Sequence, residues 1–284
     1  MIKFSVLVPT FNNLDYLKLA IKSIKENSLY QHEVILHVND GSDGTLDFAK
    51  NHHIKYTHSD SNIGLCSAIN MASKKVTTDY ILYVHDDMYL CKNWDRFLEN
   101  EIKNLDNDLF YFSGTNYESR DIGGHLNPGN SPDRFNPEYF YKFCSIKKEK
   151  DLQGSHWAPH IISKRLWDII GGFSEEFNPG DGSDPDFCMK LWINNVRIFK
   201  SIDNFKVFHF GSRTTRNKRI VKNNGTKKFL LKYGFNPKFF RKYYLRGGAD
   251  SIYDGPLVEP EKTFIHLFEL FINKIKIFYY RLSF

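Results

Sequence analysis

The stretch YILYVHDDMY at residues 80–89 constrains the fold more than any other part of the chain. Its β-forming residues, Tyr80, Ile81, Leu82, Tyr83 and Val84, read as a buried strand, and they run directly into adjacent carboxylates, Asp86 and Asp87. A strand that delivers two negative charges to its carboxyl end needs a counter-charge, because burying an unpaired ion is costly. A divalent ion carrying a diphosphate meets that need. In open α/β sheets, ligands bind at that edge. The simpler alternative is that Asp86 and Asp87 cap a following helix.

The residues before this stretch alternate strand and helix. Residues 4–8 form an apolar run that ends at Pro9 and a polar turn of Thr10, Phe11, Asn12 and Asn13. A helix is expected from about Leu14, with Leu14, Leu17, Ala20, Ile21 and Ile24 at near-helical spacing and Asn12 or Asn13 as its cap. A strand at 34–38 runs into NDGSDG at 39–44, a turn with exposed carboxylates. A short helix at 45–50, a short strand at 54–57 and a helix with Leu65, Ala68, Ile69 and Ala72 on one side then lead to the strand at 80–84. Such alternation predicts an α/β architecture, a doubly wound, mostly parallel sheet flanked by helices. Thr10, Asp40 and Asp86 then end successive strands at one edge.

After a helix at 94–105 and a strand at 109–113, regularity fades over 114–150, which reads as a long functional excursion. Order returns with a strand at 161–163 and a helix at 164–170. The segment GDGSDPDFCMKLW sets Asp181, Asp184 and Asp186 at a helix start, and a last core strand at 205–210 carries His209.

The net charge of +6 is uneven, since no acidic residue stands between Asp203 and Asp250. That stretch suits nucleotide phosphates, anionic lipid or nucleic acid, or is a solvated basic face. Residues 263–284 repeat apolar side chains at three- and four-residue steps beside Lys262, Lys274, Lys276 and Arg281. An amphipathic helix of this kind fits an anionic membrane surface, its own core or a second subunit. Cys66, Cys91, Cys144 and Cys188 show neither metal-knuckle nor disulfide spacing, which fits a reducing, cytoplasmic setting. No apolar run is long enough to span a bilayer, so any membrane association is expected to be peripheral, on an inner face. With 41% hydrophobic residues, disorder is not expected.

The motifs SVLVPTFNN, NDGSDGT, NIGLCSAIN, the Asp86 and Asp87 pair, GGFSEEF followed by SDPDFCMKLW, and FHFGS stand in a characteristic order. Over residues 1–211 the chain resembles the family 2 glycosyltransferases of the GT-A fold. The resemblance implies an inverting, metal-dependent transfer of a sugar from a UDP- or dTDP-sugar to a hydroxyl of a glycan or lipid-linked glycan. It defines a GT-A domain (1–113 nucleotide-binding, 114–211 acceptor and catalytic); beyond it, where the family pattern fades, the composition marks a basic extension or lid at 212–262 and the amphipathic helix at 263–284.

By the same resemblance, the loop of Pro9, Thr10, Phe11 and Asn12 holds the nucleotide base together with Asp40. There Phe11 packs on the ring and Asp40 accepts from the imide of uracil or thymine. Gly64 and Asn70 lie under the ribose and phosphates, Asp86 sits near the ribose, and Asp87 binds the metal, completed by His209. An oxygen and imidazole site favours Mn2+ over Mg2+. Asp184 is the implied general base, Asp186 the second candidate and Asp181 the third. Trp157 stacks on an acceptor sugar, with His156 or His160 beside it, or is simply a core tryptophan. Arg213, Arg216 or Lys218 closes over the diphosphate or holds the protein on a membrane.

Asn39 and His85 stand where the family often has acids, and Lys190 replaces a frequent arginine. Two other readings are weaker. A nucleotidyltransferase would carry a glycine- and lysine-rich phosphate loop after the first strand, where this chain has VPTFNN. A basic nucleic-acid- or membrane-binding module would leave the acidic strand ends without a purpose, so no nucleic-acid partner is expected.

Overall fold

The protein is described by a computed structural model over residues 1–211, 224–248 and 251–282. Strand β1 (Phe4–Phe11) lies between β2 (Glu33–Asn39) and β4 (Tyr80–Tyr83), with β3 (Lys55–Ser59) outside β2, and all three pairings are parallel. β1 is buried from Phe4 to Thr10, which is why it reads as a continuous apolar run rather than an alternating one. Helices α1 (Leu14–Glu26), α2 (Thr45–Asn51) and α3 (Leu65–Ser73) make the crossovers. α1 buries Leu17, Ala20, Ile21 and Ile24, as its spacing predicts. Its cap differs from expectation: Asn13 makes no side-chain cap bond, and the Leu14 amide donates to Oδ2 of Asp43 at 2.9 Å.

The second half of the sheet is mixed. It adds β5 (Met88–Leu90), β6 (Phe110–Tyr117), β7 (Leu152–Gln153), β8 (His160–Ser163) and β9 (Ile198–His209), in the order β3-β2-β1-β4-β8-β6-β9-β5 with β7 beside β9. β8 runs antiparallel to both β4 and β6, β6 and β9 are parallel, and β5 and β7 are antiparallel to β9. Strand–helix alternation fixes parallel pairing only where a helix carries the chain back. No such unit joins β4 to β5 or sets the direction of β8.

Helix α4 (Trp94–Lys103) follows β5, and α5 (Pro137–Ile146) lies inside the excursion that shows no regular pattern in the sequence. Its start signal is local: the Asn136 side chain accepts from the Glu138 amide at 3.0 Å, with Pro137 in the first turn. Helices α6 (Lys164–Ile170) and α7 (Ser183–Ile193) flank β8 and β9 in sequence. α8 (Gly225–Tyr233), short helical turns over Pro237–Phe239 and Phe240–Tyr244, and a last helix (Phe264–Leu282) follow. Among the described residues, no helix is long and apolar enough to cross a membrane.

Candidate active site

The parallel register brings the ends of β1, β2 and β4 to one edge, with Phe11 opposite Asn39 and the Val84 amide bonded to the Leu7 carbonyl at 3.0 Å. Asn12 and Asp40 both adopt positive φ, at 45° and 62°, and they fasten the two loops to each other. The Asn12 amide donates to Asp40 Oδ2 at 2.9 Å, and its oxygen accepts from the Gly41 amide at 2.8 Å. Asp40 Oδ1 accepts from the Ser42 amide at 3.2 Å. Asn39, one of the departures from the family pattern, ties in the next loop by accepting from the Ile63 amide at 2.9 Å and from the Ser59 hydroxyl at 3.2 Å.

Gly64 and Asn70 both have structural partners from far along the chain. Gly64 has φ +86°, and a side chain there would run into Asn178. The Asn178 carbonyl oxygen accepts from the Cys66 amide at 2.9 Å and its amide donates to Ser67 Oγ at 2.7 Å, so Asn178 caps α3. The Asn70 side chain pairs with both backbone groups of Phe173, at 2.8 and 2.9 Å, pinning the GGF turn. Gly64→Ala is expected to cost about 2–4 kcal/mol through left-handed strain and the Asn178 clash, read as a lowered urea midpoint at unchanged slope.

Asp86 and Asp87 are buried. The short strand β5, which sequence periodicity did not reveal, sets Met88 opposite His209 and so places His209 beside Asp87. His209 Nε2 lies 3.2 Å from Asp87 Oδ1, and the Phe210 amide donates to the Asp87 carbonyl at 3.0 Å. His85 joins them: one ligand atom each from His85, Asp87 and His209 lie within 4.8 Å of one another. His85 and Asp87 lie in the turn between β4 and β5, where the Met88 amide donates to the His85 carbonyl at 3.3 Å, a local geometry that strand periodicity does not reveal. His85 therefore does more than dilute the local negative charge.

Burial pushes the His85 imidazole down to about 4, so it is neutral and able to ligate. Burial also pulls His209 down, but Asp87, with help from Glu118 and Asp86, outweighs it and leaves His209 above its ordinary value. Two imidazoles and a carboxylate suit a transition metal such as Mn2+ better than Mg2+, which prefers oxygen.

Asp184 stands in the first turn of α7. Among the described residues its carboxylate has no hydrogen-bond or ion-pair partner, and burial pushes it up to about 7. Asp186, two residues on, is fully buried and committed elsewhere. Its Oδ1 accepts from Lys232 Nζ at 2.8 Å and from Tyr233 Oη at 2.7 Å, both on α8. Asp181 Oδ2 accepts from the Gly225 amide at 3.0 Å, so the third candidate also anchors α8. Lys190 secures the other side of α7 by donating to the Ile170 carbonyl at 3.2 Å and to that of Gly172. A lysine thus serves where carbonyls, not a planar acid, are the partners.

Asp186→Ala leaves partly buried Lys232 with Glu176, 2.6 Å away, as its ion-pair partner and the Ser174 hydroxyl at 3.2 Å. The expected loss is about 2–3 kcal/mol of unfolding free energy, measured in urea.

The remaining candidates are placed as follows. His160 is buried among Tyr83, Tyr111, Phe173 and Phe187, where burial pushes it down to about 3, so it belongs to the core. Trp157 is partly exposed, its Nε1 donating to the Gly114 carbonyl at 3.1 Å. His156 Nδ1 lies 3.1 Å from the Gly154 carbonyl. Beside His209 a cleft of about 470 Å³ is lined by Glu118, Ser119, Arg120, Asn127 and Asn130, residues that carry no motif in the sequence. Arg213, Arg216 and Lys218 lie outside the described residues. Of the basic stretch that is described, Lys232 pairs with the carboxylates of Glu176 and Asp186, and Lys228 donates to the Glu176 backbone carbonyl.

This architecture is shared with solved structures. Residues 1–349 of S. aureus TarS, in complex with UDP-GlcNAc, match 82% of this chain and 65% of that one at 17% identity and a TM-score of 0.57. The mannosyltransferase PcManGT from Pyrobaculum calidifontis, in complex with GDP-Man and Mn2+, matches 99% of this chain and 75% of that one at 15% identity and a TM-score of 0.56. At such identities the likeness concerns the fold, and it is the GT-A fold of sugar transferases. The family model described as Glycosyl transferase family 2 matches residues 5–202, and the chain belongs to that family.

Two curated relatives come from Rickettsia. An uncharacterized glycosyltransferase of Rickettsia bellii (strain RML369-C) is 32% identical over 129 residues, 43% of this chain and 18% of its own length. One from Rickettsia conorii (strain ATCC VR-613 / Malish 7) is 28% identical over 120 residues, 40% of this chain and 19% of its own length. The chain therefore spans less than a fifth of either relative.

Proposed function

We propose that this family 2 transferase is an inverting, metal-dependent enzyme that moves a sugar from a UDP- or dTDP-sugar to a hydroxyl of a glycan or lipid-linked glycan. Asp184 carries the reading. It is a carboxylate raised to about 7 by burial, with no hydrogen-bond or ion-pair partner among the described residues, in the first turn of α7. A base with a pKa near the working pH balances availability against proton affinity. In the transfer, Asp184 takes the acceptor hydroxyl's proton as the oxygen bonds to the anomeric carbon. The bond from that carbon to the diphosphate oxygen breaks on the opposite face, and the diphosphate leaves with the electron pair.

Asp186 is less suited to this role, because it is fully buried and its Oδ1 holds Lys232 and Tyr233 of α8. His85, Asp87 and His209 are the residues that would hold a divalent ion, Mn2+ in preference to Mg2+, and such an ion would supply positive charge to the diphosphate. The nucleotide-sugar complexes of the two structural neighbours support a donor of this class. The choice of uracil or thymine rests on Asp40, an acceptor able to read an imide N–H.

The test is calorimetric titration with UDP, dTDP, GDP and CDP, each with Mn2+ and again with chelator. Tight binding of UDP or dTDP that requires metal is the expected result. A preference for GDP or CDP would overturn the base assignment, and binding indifferent to chelator would overturn the metal.

A further inference from the structure

The last helix docks through a mixed face. Its fully buried residues are polar, His266 and Asn273, with partly buried Leu270 packed on the core beside them. The His266 ring packs edge-on against Phe239 and Tyr243, with ring centres 4.9 and 4.6 Å away. Asn273 Oδ1 accepts from the backbone and side-chain amides of Asn236 at 3.2 and 2.8 Å. Glu269, on the same side, pairs with Lys242 at 2.6 Å. These bonds fix the helix's rotation about its axis.

The opposite face consists of Phe264, Phe268, Phe271, Ile275, Phe278 and Leu282, which are 49% to 84% exposed. At helical pitch these six fall within one narrow arc. A contiguous exposed apolar stripe of this kind marks an interaction site.

Charge decides what kind. At 100° per residue, Lys274 and Arg281 lie just beyond one edge of the arc and Lys276 about 80° beyond the other, past apolar Tyr279, Ile272 and Ile265; all three cations are exposed, and no carboxylate lies between them across this face. Cations flanking an apolar arc, with long stems able to reach past it, match an anionic headgroup layer over an acyl interior. A second copy meeting this face about a twofold axis would set the same cations against each other. We infer that the last helix lies in the plane of an anionic lipid surface, holding the protein there as a peripheral membrane protein. This goes beyond the sugar-transfer reading and does not depend on it.

The experiment is flotation of the 284-residue chain with vesicles of phosphatidylcholine alone and of phosphatidylcholine mixed with phosphatidylglycerol. Sedimentation without lipid reports self-association. The wild type should float with the mixed vesicles, on the order of tenfold more than with neutral ones. A Phe268→Glu/Phe278→Glu variant should lose flotation entirely, and a Lys274→Glu/Lys276→Glu variant should lose the preference for anionic lipid. All four positions are exposed, so both variants should keep the wild-type circular dichroism and urea midpoint. Failure of the wild type to float overturns the inference, as does flotation unchanged in both variants. So does a stable dimer without lipid that the Phe268→Glu/Phe278→Glu variant abolishes.

Discussion

Asp184→Asn should lower turnover by about 10²–10⁴-fold, the usual contribution of a positioned base, while nucleotide affinity in calorimetry stays within about twofold, since the donor groups are untouched. Only the ionised carboxylate can accept the hydroxyl proton. Burial raises Asp184 from 3.8 to about 7. Wild-type turnover should therefore climb as pH rises through about 7 and fall away below it, and the residual activity of the variant should lack that limb.

Stability should move the other way. A carboxyl whose folded pKa is raised favours folding in its protonated form, and that advantage is lost as pH rises through the folded value. Asp184→Asn should thus be more stable than wild type above about pH 7, the difference shrinking toward acid. Gain of stability together with loss of turnover is the signature of a residue kept for chemistry. An Asp184→Asn enzyme that retained wild-type turnover and its pH limb would remove Asp184 from the mechanism.

Asp87→Ala should abolish the metal-dependent part of nucleotide affinity, a loss on the order of a hundredfold. The reason is geometric: Asp87 brings the only oxygen to the His85, Asp87 and His209 cluster among the described residues. Wild type in chelator and Asp87→Ala in Mn2+ should bind nucleotide diphosphate equally weakly. His85→Ala separates the cluster seen here from a simpler pair: if His85 ligates, the variant needs markedly more Mn2+ to reach half-maximal binding, and if it does not, its Mn2+ dependence matches wild type. Mn2+-stimulated binding that survived Asp87→Ala would end the metal assignment.

These effects differ from those of the neighbouring variants. Asp186→Ala and Gly64→Ala act on stability, because their partners are Lys232, Tyr233 and Asn178 rather than the reacting groups. The departures from the family pattern divide similarly. Asn39 and Lys190 hold loops in place through backbone groups, whereas His85 enters the cluster beside Asp87.

Local patterning carried much of the fold. β1, β2 and β4 were readable because strands buried on both faces give unbroken apolar runs, and their polar ends follow at once in the chain. That is why Asp40, Asp86 and Asp87 could be picked out before any geometry, whereas Asp184, at a helix start, was singled out by the family resemblance. Strand β9 hid its true length, since Lys200, Asp203 and Lys206 interrupt the apolar pattern. They are buried only because Lys200 pairs with Glu101 and Asp151, and Lys206 with Asp203. Strand β5 hid because three residues carry no period.

The chain's own order of residues thus determined the parallel half of the sheet, the acidic edge and the amphipathic spacing of the last helix, all properties set by neighbours in sequence. Tertiary structure alone decided the rest. It put His209 and His85 beside Asp87 through the pairing of β5 with β9. It separated Asp184 from Asp186 by docking α8 onto one and leaving the other without a partner among the described residues. It also turned the apolar face of the last helix outward by burying His266 and Asn273. Each of these depends on contacts between segments far apart in the chain, which local periodicity does not encode.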